Sequence, residues 1–168
     1  MLEEHYLKPL FEPESVAVFG ASDRENSVGQ VLFRNLLQTG FGGRLFPINP
    51  KHESVQGHET FKSLHDVPGR VDLAIICTPA MSVPGIIEQC GERGVRFALI
   101  VSSGFAERGH AGAALERKVL EIARSYSVRI LGPNSLGIMR PPSRLNATFT
   151  QERAHEGKMA LVSQSGAI

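Results

Sequence analysis

The feature that most constrains this chain is the alternation of short, continuous apolar runs with longer segments of helical periodicity. Continuous apolar runs are typical of parallel strands that are covered on both faces. A helix between two such runs returns the chain to the same edge of the sheet, so that the next strand can lie parallel to the last. The apolar runs are residues 16–19, 45–48, 73–77, 97–101 and 128–131.

The segments between these runs have apolar residues on one helical face. They are residues 28–36, 83–90 and 115–126, and a further short helix is expected within residues 58–66. Ser82 is the expected N-cap of the second segment. The pattern predicts an α/β fold with a Rossmann-like, doubly wound, mostly parallel sheet that has helices on both faces. In such a sheet the ligand binds outside the carboxyl ends of the strands, where the strand order reverses.

Charge and composition exclude several classes of protein. The 168 residues carry a formal net charge of +1, whereas nucleic-acid and membrane-surface proteins usually show a basic excess. No window is apolar enough for a membrane span, and the acidic start does not resemble a signal peptide. Cys77 and Cys90 show no metal or disulfide spacing, and the six histidines show no metal-ligand spacing. We therefore expect a cytoplasmic protein without a metal, a nucleic-acid partner or a membrane partner.

The end of the chain departs from the strand–helix alternation. We expect residues 1–150 to form the Rossmann-like domain, and residues 151–168 to be a linker and the first strand of a second, truncated domain. The segment from Lys158 to Val162 is the expected strand, and it runs into a glycine turn at Gly166.

The turn after the first strand is the first candidate site. Gly20, Ala21 and Ser22 let backbone N–H groups approach a phosphate, and Ser27, Val28 and Gly29 open the helix whose N-terminus attracts anions. The usual dinucleotide fingerprint is Gly-x-Gly-x-x-Gly, which this turn does not match. An ordinary surface connection with a capping box remains the alternative.

The end of the second strand indicates which ligand is expected. Asn49, Pro50 and Lys51 follow this strand, where a nicotinamide-binding fold has an acidic residue for the ribose. A lysine at that place suits a phosphorylated ribose, as in coenzyme A or NADP. A solvated lysine in a turn is the alternative reading.

The remaining strand ends offer hydroxyl groups and small residues rather than catalytic acids. They are Thr78 and Pro79 after the third strand, Ser102, Ser103 and Gly104 after the fourth, and Asn134 and Ser135 after the fifth. Ordinary turn chemistry explains each of them equally well when taken singly. Ser135 is not expected to be a nucleophile, because it lies outside a Gly-x-Ser-x-Gly motif and has no evident histidine or acidic partner.

Taken together and in order along the chain, these sequence segments resemble those of a known family. They are similar to the N-terminal CoA-binding domain of NDP-forming acyl-CoA synthetases, which include the succinyl-CoA synthetase α subunit and the ADP-forming acetyl-CoA synthetases. The segment from Gly132 to Gly137 is most similar to the synthetase-like region of bacterial protein lysine acetyltransferases, which is fused to a GNAT domain. The matching segments are residues 10–22, 46–51, 103–107, 131–137, 145–149 and 161–167.

The resemblance implies coenzyme A, or an acyl-CoA, as the ligand and assigns roles to the candidate residues. The two parts of the first turn would face the diphosphate, and residues 49–51 would lie near the adenosine and its phosphates. Residues 78–79 would border the adenine or pantetheine, residues 102–104 would line the pantetheine channel, and residues 134–135 would lie near the thiol. In the succinyl-CoA synthetase pattern a cysteine follows Gly-Pro-Asn, and here that residue is Ser135.

The resemblance also implies that this chain binds but does not turn over. The family's catalytic histidine lies in its second domain and its ATP-grasp module is a further unit. Three functions remain open: the CoA-binding platform of an acyl-CoA synthetase, the acyl-CoA-sensing domain of a protein acetyltransferase, and an NADP-binding domain. The missing acidic residue and the broken glycine pattern argue against the third.

Overall fold

The computed structural model describes residues 5–150, 152 and 154–163, and its centre is a parallel five-stranded sheet. The five expected apolar runs each form one of its strands. Numbered by their position along the chain, the five strands lie across the sheet in the order second, first, third, fourth, fifth. The strand order therefore reverses between the first strand and the third. The sheet strands are β1 (Ser15–Phe19), β2 (Arg44–Ile48), β5 (Leu73–Ile76), β6 (Phe97–Ile100) and β7 (Arg129–Leu131). The doubly wound, Rossmann-like fold is confirmed.

The three helices expected from the periodicity are present, and a short helix that was not expected lies near the start of the chain. They are α1 (Lys8–Phe11), α2 (Val28–Gln38), α3 (Val83–Glu92) and α4 (His110–Ser125). Ser82 precedes α3, but its side chain does not cap the helix, because its backbone is already helical, with φ −86° and ψ −15°. Its hydroxyl group donates to Thr78 Oγ1 at 2.8 Å and to Pro79 O at 2.7 Å. No helix among the described residues is long and apolar enough to cross a lipid bilayer.

The segment expected to hold a short helix within residues 58–66 is only partly helical. Two short antiparallel strands, β3 (Ser54–Val55) and β4 (His58–Glu59), occupy its beginning, and a single 3₁₀ turn, Leu64–Asp66, occupies its end. The turn is closed by Ser63 and Asp66, whose side chains bond each other's backbone as a capping box.

Successive residues of each strand point to opposite faces, so the sheet separates two apolar cores. Ala17 and Phe19 of β1 join the core under α3 and α4. Val16 and Val18 join the core under α2, in which Phe33 is completely buried. Helices on both faces explain why the strands are continuously apolar.

A β-hairpin that the sequence pattern did not reveal completes the second core. Its strands are β8 (Gly137–Arg140) and β9 (Leu145–Thr148), and β9 packs against α2. Asn35 of α2 donates from Nδ2 to Thr148 O at 2.9 Å and to Thr150 O at 2.8 Å. The hairpin is therefore an integral layer of the domain.

The strand expected from Lys158 to Val162 is not observed. These residues form neither helix nor strand, and Met159, Leu161 and Val162 are almost fully exposed. The glycine turn expected after it, at Gly166, lies outside the described residues.

Candidate functional site

The candidate residues meet at the carboxyl edge of the sheet, around the reversal of strand order. β1 lies between β2 and β5, so the turn after β1 is flanked by the turns after both neighbours. In a doubly wound sheet this is the position of the ligand crevice.

Two glycines allow the turn after β1 to lie close to its surroundings. Gly20 has a φ of +83°, and a Cβ there would lie 3.1 Å from the carbonyl oxygen of Cys77. A Cβ on Gly29 would lie 1.9 Å from the carbonyl oxygen of Gly20. The first turn of α2 therefore contacts the turn after β1 at a distance that only glycine permits.

The start of α2 has a side-chain cap, as the alternative of a capped surface connection predicts. Ser27 is the N-cap: its Oγ accepts from Gln30 N at 3.3 Å and donates to Arg24 O at 2.8 Å. Ser22 Oγ accepts from Arg24 N at 3.0 Å, which closes the turn on itself. Capping and anion binding are compatible, because one cap satisfies only one of the N–H groups at a helix start.

Asn49 is a structural clamp between two turns. Its Nδ2 donates to Ala21 O at 2.8 Å, and its Oδ1 accepts from Lys51 N at 2.9 Å. Both ends of this side-chain amide are therefore bonded within the protein. Pro50 and Lys51 follow on the surface, and Lys51 is exposed.

Gln56 is a residue that the sequence reasoning missed. It lies in the turn between β3 and β4, and its Nε2 donates to Ser22 O at 3.2 Å and to Gln30 O at 3.0 Å. Its backbone N donates to Asp23 Oδ1 at 2.8 Å. Gln56 thus holds the turn after β1 against the first turn of α2. Its φ of +49° is the signature of a tight turn, and the Gln-Gly pair was the available signal.

Hydroxyl groups join the ends of β5 and β6. Ser102 Oγ donates to Thr78 O at 2.5 Å and to Ile76 O at 3.2 Å, while Thr78 Oγ1 accepts from Ser82 Oγ. Pro79 carries the backbone into the following 3₁₀ turn. These hydroxyl groups have protein partners, and Ser102 holds the ends of β5 and β6 together.

The side-chain carboxylate of Glu107 is hydrogen-bonded to the backbone of the loop after β6. Glu107 accepts from the backbone N of Gly104 and, at 3.1 Å, from that of Phe105. Gly104 has a φ of +112°, and Ser103 beside it is exposed. The bond from Gly104 is the main cause that lowers the pKa of the Glu107 carboxyl group below its ordinary value of 4.5.

Protonation of Glu107 is therefore expected to release this loop. A lowered folded-state pKa stabilises the loop at pH values above 4.5, and this contribution is lost as the pH falls through the folded-state pKa. We expect the NMR amide signals of Gly104 and Phe105 to titrate together, with a midpoint below 4.5. Glu107→Gln removes this transition, whereas the control Glu121→Gln, on the exposed face of α4, retains it. Persistence of the transition in Glu107→Gln would contradict the assignment.

The turn after β7 completes the edge. Asn134 N donates to Ser102 O at 3.0 Å, and Ser135 N donates to Ile100 O at 3.3 Å. Ser135 Oγ accepts from Gly137 N at 3.1 Å. No histidine or carboxylate among the described residues is hydrogen-bonded to this hydroxyl group.

The cysteine near this edge is not a reactive thiol. Cys77 follows β5, and burial raises its pKa to about 12. It therefore remains a neutral thiol at physiological pH. In the described part of the chain, no group of three or more His, Cys, Asp or Glu side chains could hold a metal ion.

The crevice suits a long ligand. Lys51 follows β2 and Ser135 follows β7, the two outer strands of the sheet. Four strand spacings of about 4.8 Å each separate these strands, so the carboxyl edge of the sheet is about 19 Å wide. A ligand that touches both must be extended.

Comparison with known proteins identifies the family. A family model described as a CoA binding domain matches residues 14–141. The chain belongs to this CoA-binding family. It is 42% identical over 166 residues to the α subunit of acetate–CoA ligase [ADP-forming] I from Pyrococcus furiosus, covering 96% of this chain and 36% of that protein. It is 43% identical over 165 residues to acetate–CoA ligase [ADP-forming] from Methanocaldococcus jannaschii, covering 98% of this chain and 23% of that protein.

A solved structure shows the same fold in a relative of this CoA-binding domain. It is the dinucleotide forming acetyl-coenzyme A synthetase 1 of Ca. Korarchaeum cryptofilum, with a TM-score of 0.91 and 43% identity. The match covers 96% of this chain and 34% of that one. The chain thus spans about a quarter to a third of the length of these relatives. The resemblance to NDP-forming acyl-CoA synthetases is confirmed, and coenzyme A is the ligand of the family.

Proposed function

We propose that this chain binds coenzyme A along the carboxyl edge of its sheet, as one module of an ADP-forming acyl-CoA ligase. The observation that carries the proposal is the contact between Gly20 and Gly29, which places the start of α2 against the turn at the reversal of strand order. Backbone N–H groups and a positive helix end then converge on one point, as a diphosphate requires.

The proposal assigns the rest of the edge by chemistry and position. The diphosphate lies against residues 20–22 and 27–29, and the 3′-phosphate lies near Lys51. The pantetheine arm follows the hydroxyl-lined floor at residues 78–79 and 102–104. The thiol end lies near Asn134 and Ser135. An extended ligand of this kind matches the distance of about 19 Å between the outer strands.

We further propose that the chain binds without turning over. The floor hydroxyl groups of Ser102 and Ser82 donate to protein oxygens, and the thiol of Cys77 is protonated at neutral pH. Acyl transfer needs an activated nucleophile or an acid–base pair, which these groups do not supply. Those groups would come from other units of a longer protein. A reducing, cytoplasmic compartment fits the two unpaired cysteines.

Calorimetric titration of the chain with coenzyme A, dephospho-CoA and NADP tests the proposal. We expect coenzyme A to bind more tightly than dephospho-CoA, because only coenzyme A carries the 3′-phosphate, and we expect NADP to give no heat. Preference for NADP would favour the dinucleotide alternative. Equal binding of coenzyme A and dephospho-CoA would remove the role of Lys51.

Lys51→Ala is expected to weaken coenzyme A binding about tenfold and to leave dephospho-CoA unchanged, since one charge-assisted hydrogen bond is lost. Lys118→Ala, an exposed lysine of α4, is the matched control for the loss of one positive charge. An equal decrease in both variants would show that only net charge matters. The acetyltransferase alternative stays a prediction, which a GNAT module elsewhere in a longer chain would support.

A further inference from the structure

A second cavity lies at the opposite edge of the sheet from the proposed coenzyme site. It has a volume of about 530 Å³ and opens beside the amino ends of β6 and β7. Small-molecule sites in proteins are typically about 300–1,000 Å³ in volume. Four side chains supply its chemistry, namely those of Tyr6, Arg96, Tyr126 and Arg129.

The two arginines are neighbours on adjacent strands. Arg96 immediately precedes β6, Arg129 begins β7, and the backbone N of Arg129 donates to the carbonyl oxygen of Arg96 at 2.8 Å. No Asp or Glu lines the cavity. Within the described residues neither guanidinium group forms an ion pair. The cavity therefore carries two positive charges that no acidic side chain in the described part of the chain neutralises.

The two tyrosines contribute aromatic rings to the lining of the cavity. The Arg129 guanidinium carbon lies 4.6 Å from the centre of the Tyr6 ring. The Tyr126 ring packs on the backbone of α3, because a Cβ on Gly91 would lie only 2.1 Å from its Cγ. A guanidinium group that stacks on a ring still presents its N–H groups at its edge, where an anion can accept them.

We propose that this cavity binds a phosphate-bearing ligand with a planar ring, such as a nucleoside diphosphate. Two arginines match the charge of a phosphate or diphosphate better than that of a single carboxylate. The tyrosine rings offer a stacking surface for a base. The site is separate from the proposed coenzyme site, because it lies at the amino ends of the same strands whose carboxyl ends line the crevice.

The chain carries its own reporter for this site. Its two tyrosines both line the cavity, and it has no tryptophan, so the intrinsic emission of the protein comes from this site. Pyrophosphate does not absorb in the tyrosine band and is the first probe. We expect pyrophosphate to change the tyrosine emission, and we expect calorimetry to show ADP binding more tightly than pyrophosphate or adenosine alone.

Charge removal tests the assignment of the arginines. Arg96→Gln and Arg129→Gln are each expected to weaken ADP and pyrophosphate binding about tenfold, the effect of one lost charge-assisted bond. Arg117→Gln, on the exposed face of α4, removes the same charge elsewhere and is expected to have no effect. A saturating concentration of coenzyme A is expected to leave the ADP binding that depends on Arg96 and Arg129 unchanged, which separates this site from the coenzyme site.

Three outcomes would overturn the proposal. The first is unchanged tyrosine emission and no heat with either probe at millimolar concentration. The second is ADP binding that coenzyme A displaces and that does not depend on Arg96 or Arg129. The third is an equal loss of affinity in Arg117→Gln. Circular dichroism checks that each variant is folded, and because all three arginines are exposed, the expected change in stability is small.

Discussion

Gly29→Ala is expected to lower the free energy of unfolding by about 3 kcal/mol and to abolish measurable coenzyme A binding. The added Cβ would lie 1.9 Å from the carbonyl oxygen of Gly20 and 2.9 Å from its carbonyl carbon. Both atoms belong to the backbone of the turn, which cannot rotate aside as a side chain can, so α2 must move away from it. Urea denaturation measures the loss of stability, and calorimetry measures the loss of binding.

Gly85→Ala is the matched control for this substitution. Gly85 is also a helical glycine, in α3, and a Cβ there would meet nothing within 4 Å. We expect this variant to be stabilised by about 0.5–1 kcal/mol, because alanine favours the helix and restricts the unfolded chain. Its coenzyme A affinity is expected to stay unchanged. If Gly29→Ala behaved like Gly85→Ala, the close contact at the turn would be refuted.

Leu145→Ala is expected to destabilise the domain by about 3 kcal/mol, within the range of large-to-small substitutions in cores. Leu145 begins β9, is only 1% exposed and packs in the core beneath α2. Its removal leaves a cavity that the surrounding residues fill only partly. Thermal and urea denaturation, followed by circular dichroism, measure this effect.

Leu161→Ala is the control for the same chemical change outside the core. Its side chain is 77% exposed, so we expect a change within about 0.5 kcal/mol. If Leu145→Ala and Leu161→Ala lowered the free energy of unfolding by similar, small amounts, the β8–β9 hairpin would be a peripheral attachment. A large loss for Leu145 alone would make residues up to the end of β9 part of the folding unit.

The sheet could be predicted from the sequence because its inner strands are buried on both faces. A continuous apolar run such as Leu73–Ile76 is typical of a strand in the middle of a covered sheet, and all four of its residues are buried. The position of the site followed from the same topology, since the carboxyl ends of parallel strands meet at one edge.

The β8–β9 hairpin was not predicted from the sequence. Its second strand, β9, mixes polar and apolar residues that are all buried. Asn146 and Thr148 alternate with Leu145 and Ala147, yet Thr148 Oγ1 donates to Asn146 Oδ1 at 2.6 Å and both side chains remain inside. Satisfied polar groups can be buried at little cost, and an alternation of only four residues is too short to distinguish a strand from a loop.

The clamps of the site could not be predicted because they join residues that are distant in sequence. Gln56 reaches residues 22 and 30, and Asn49 reaches residue 21. A single sequence shows which side chains can form such bonds but not which partner each one finds. The candidate residues could thus be named from the sequence. The structure was needed to show which of them hold the edge together and which are exposed to a ligand.

The bonds from Asn35 to residues 148 and 150 also bear on the order in which the domain assembles. They join positions 113 and 115 residues apart, so the outer face of α2 stays uncovered until nearly the whole domain has left the ribosome. Contacts between residues so far apart in sequence form late in folding. The entropy of closing the long loop must be lost before the contacts contribute any stabilising free energy. We expect nascent chains that stop before residue 145 to expose apolar surface on α2 and to be bound by chaperones, and chains extended past residue 150 to be released.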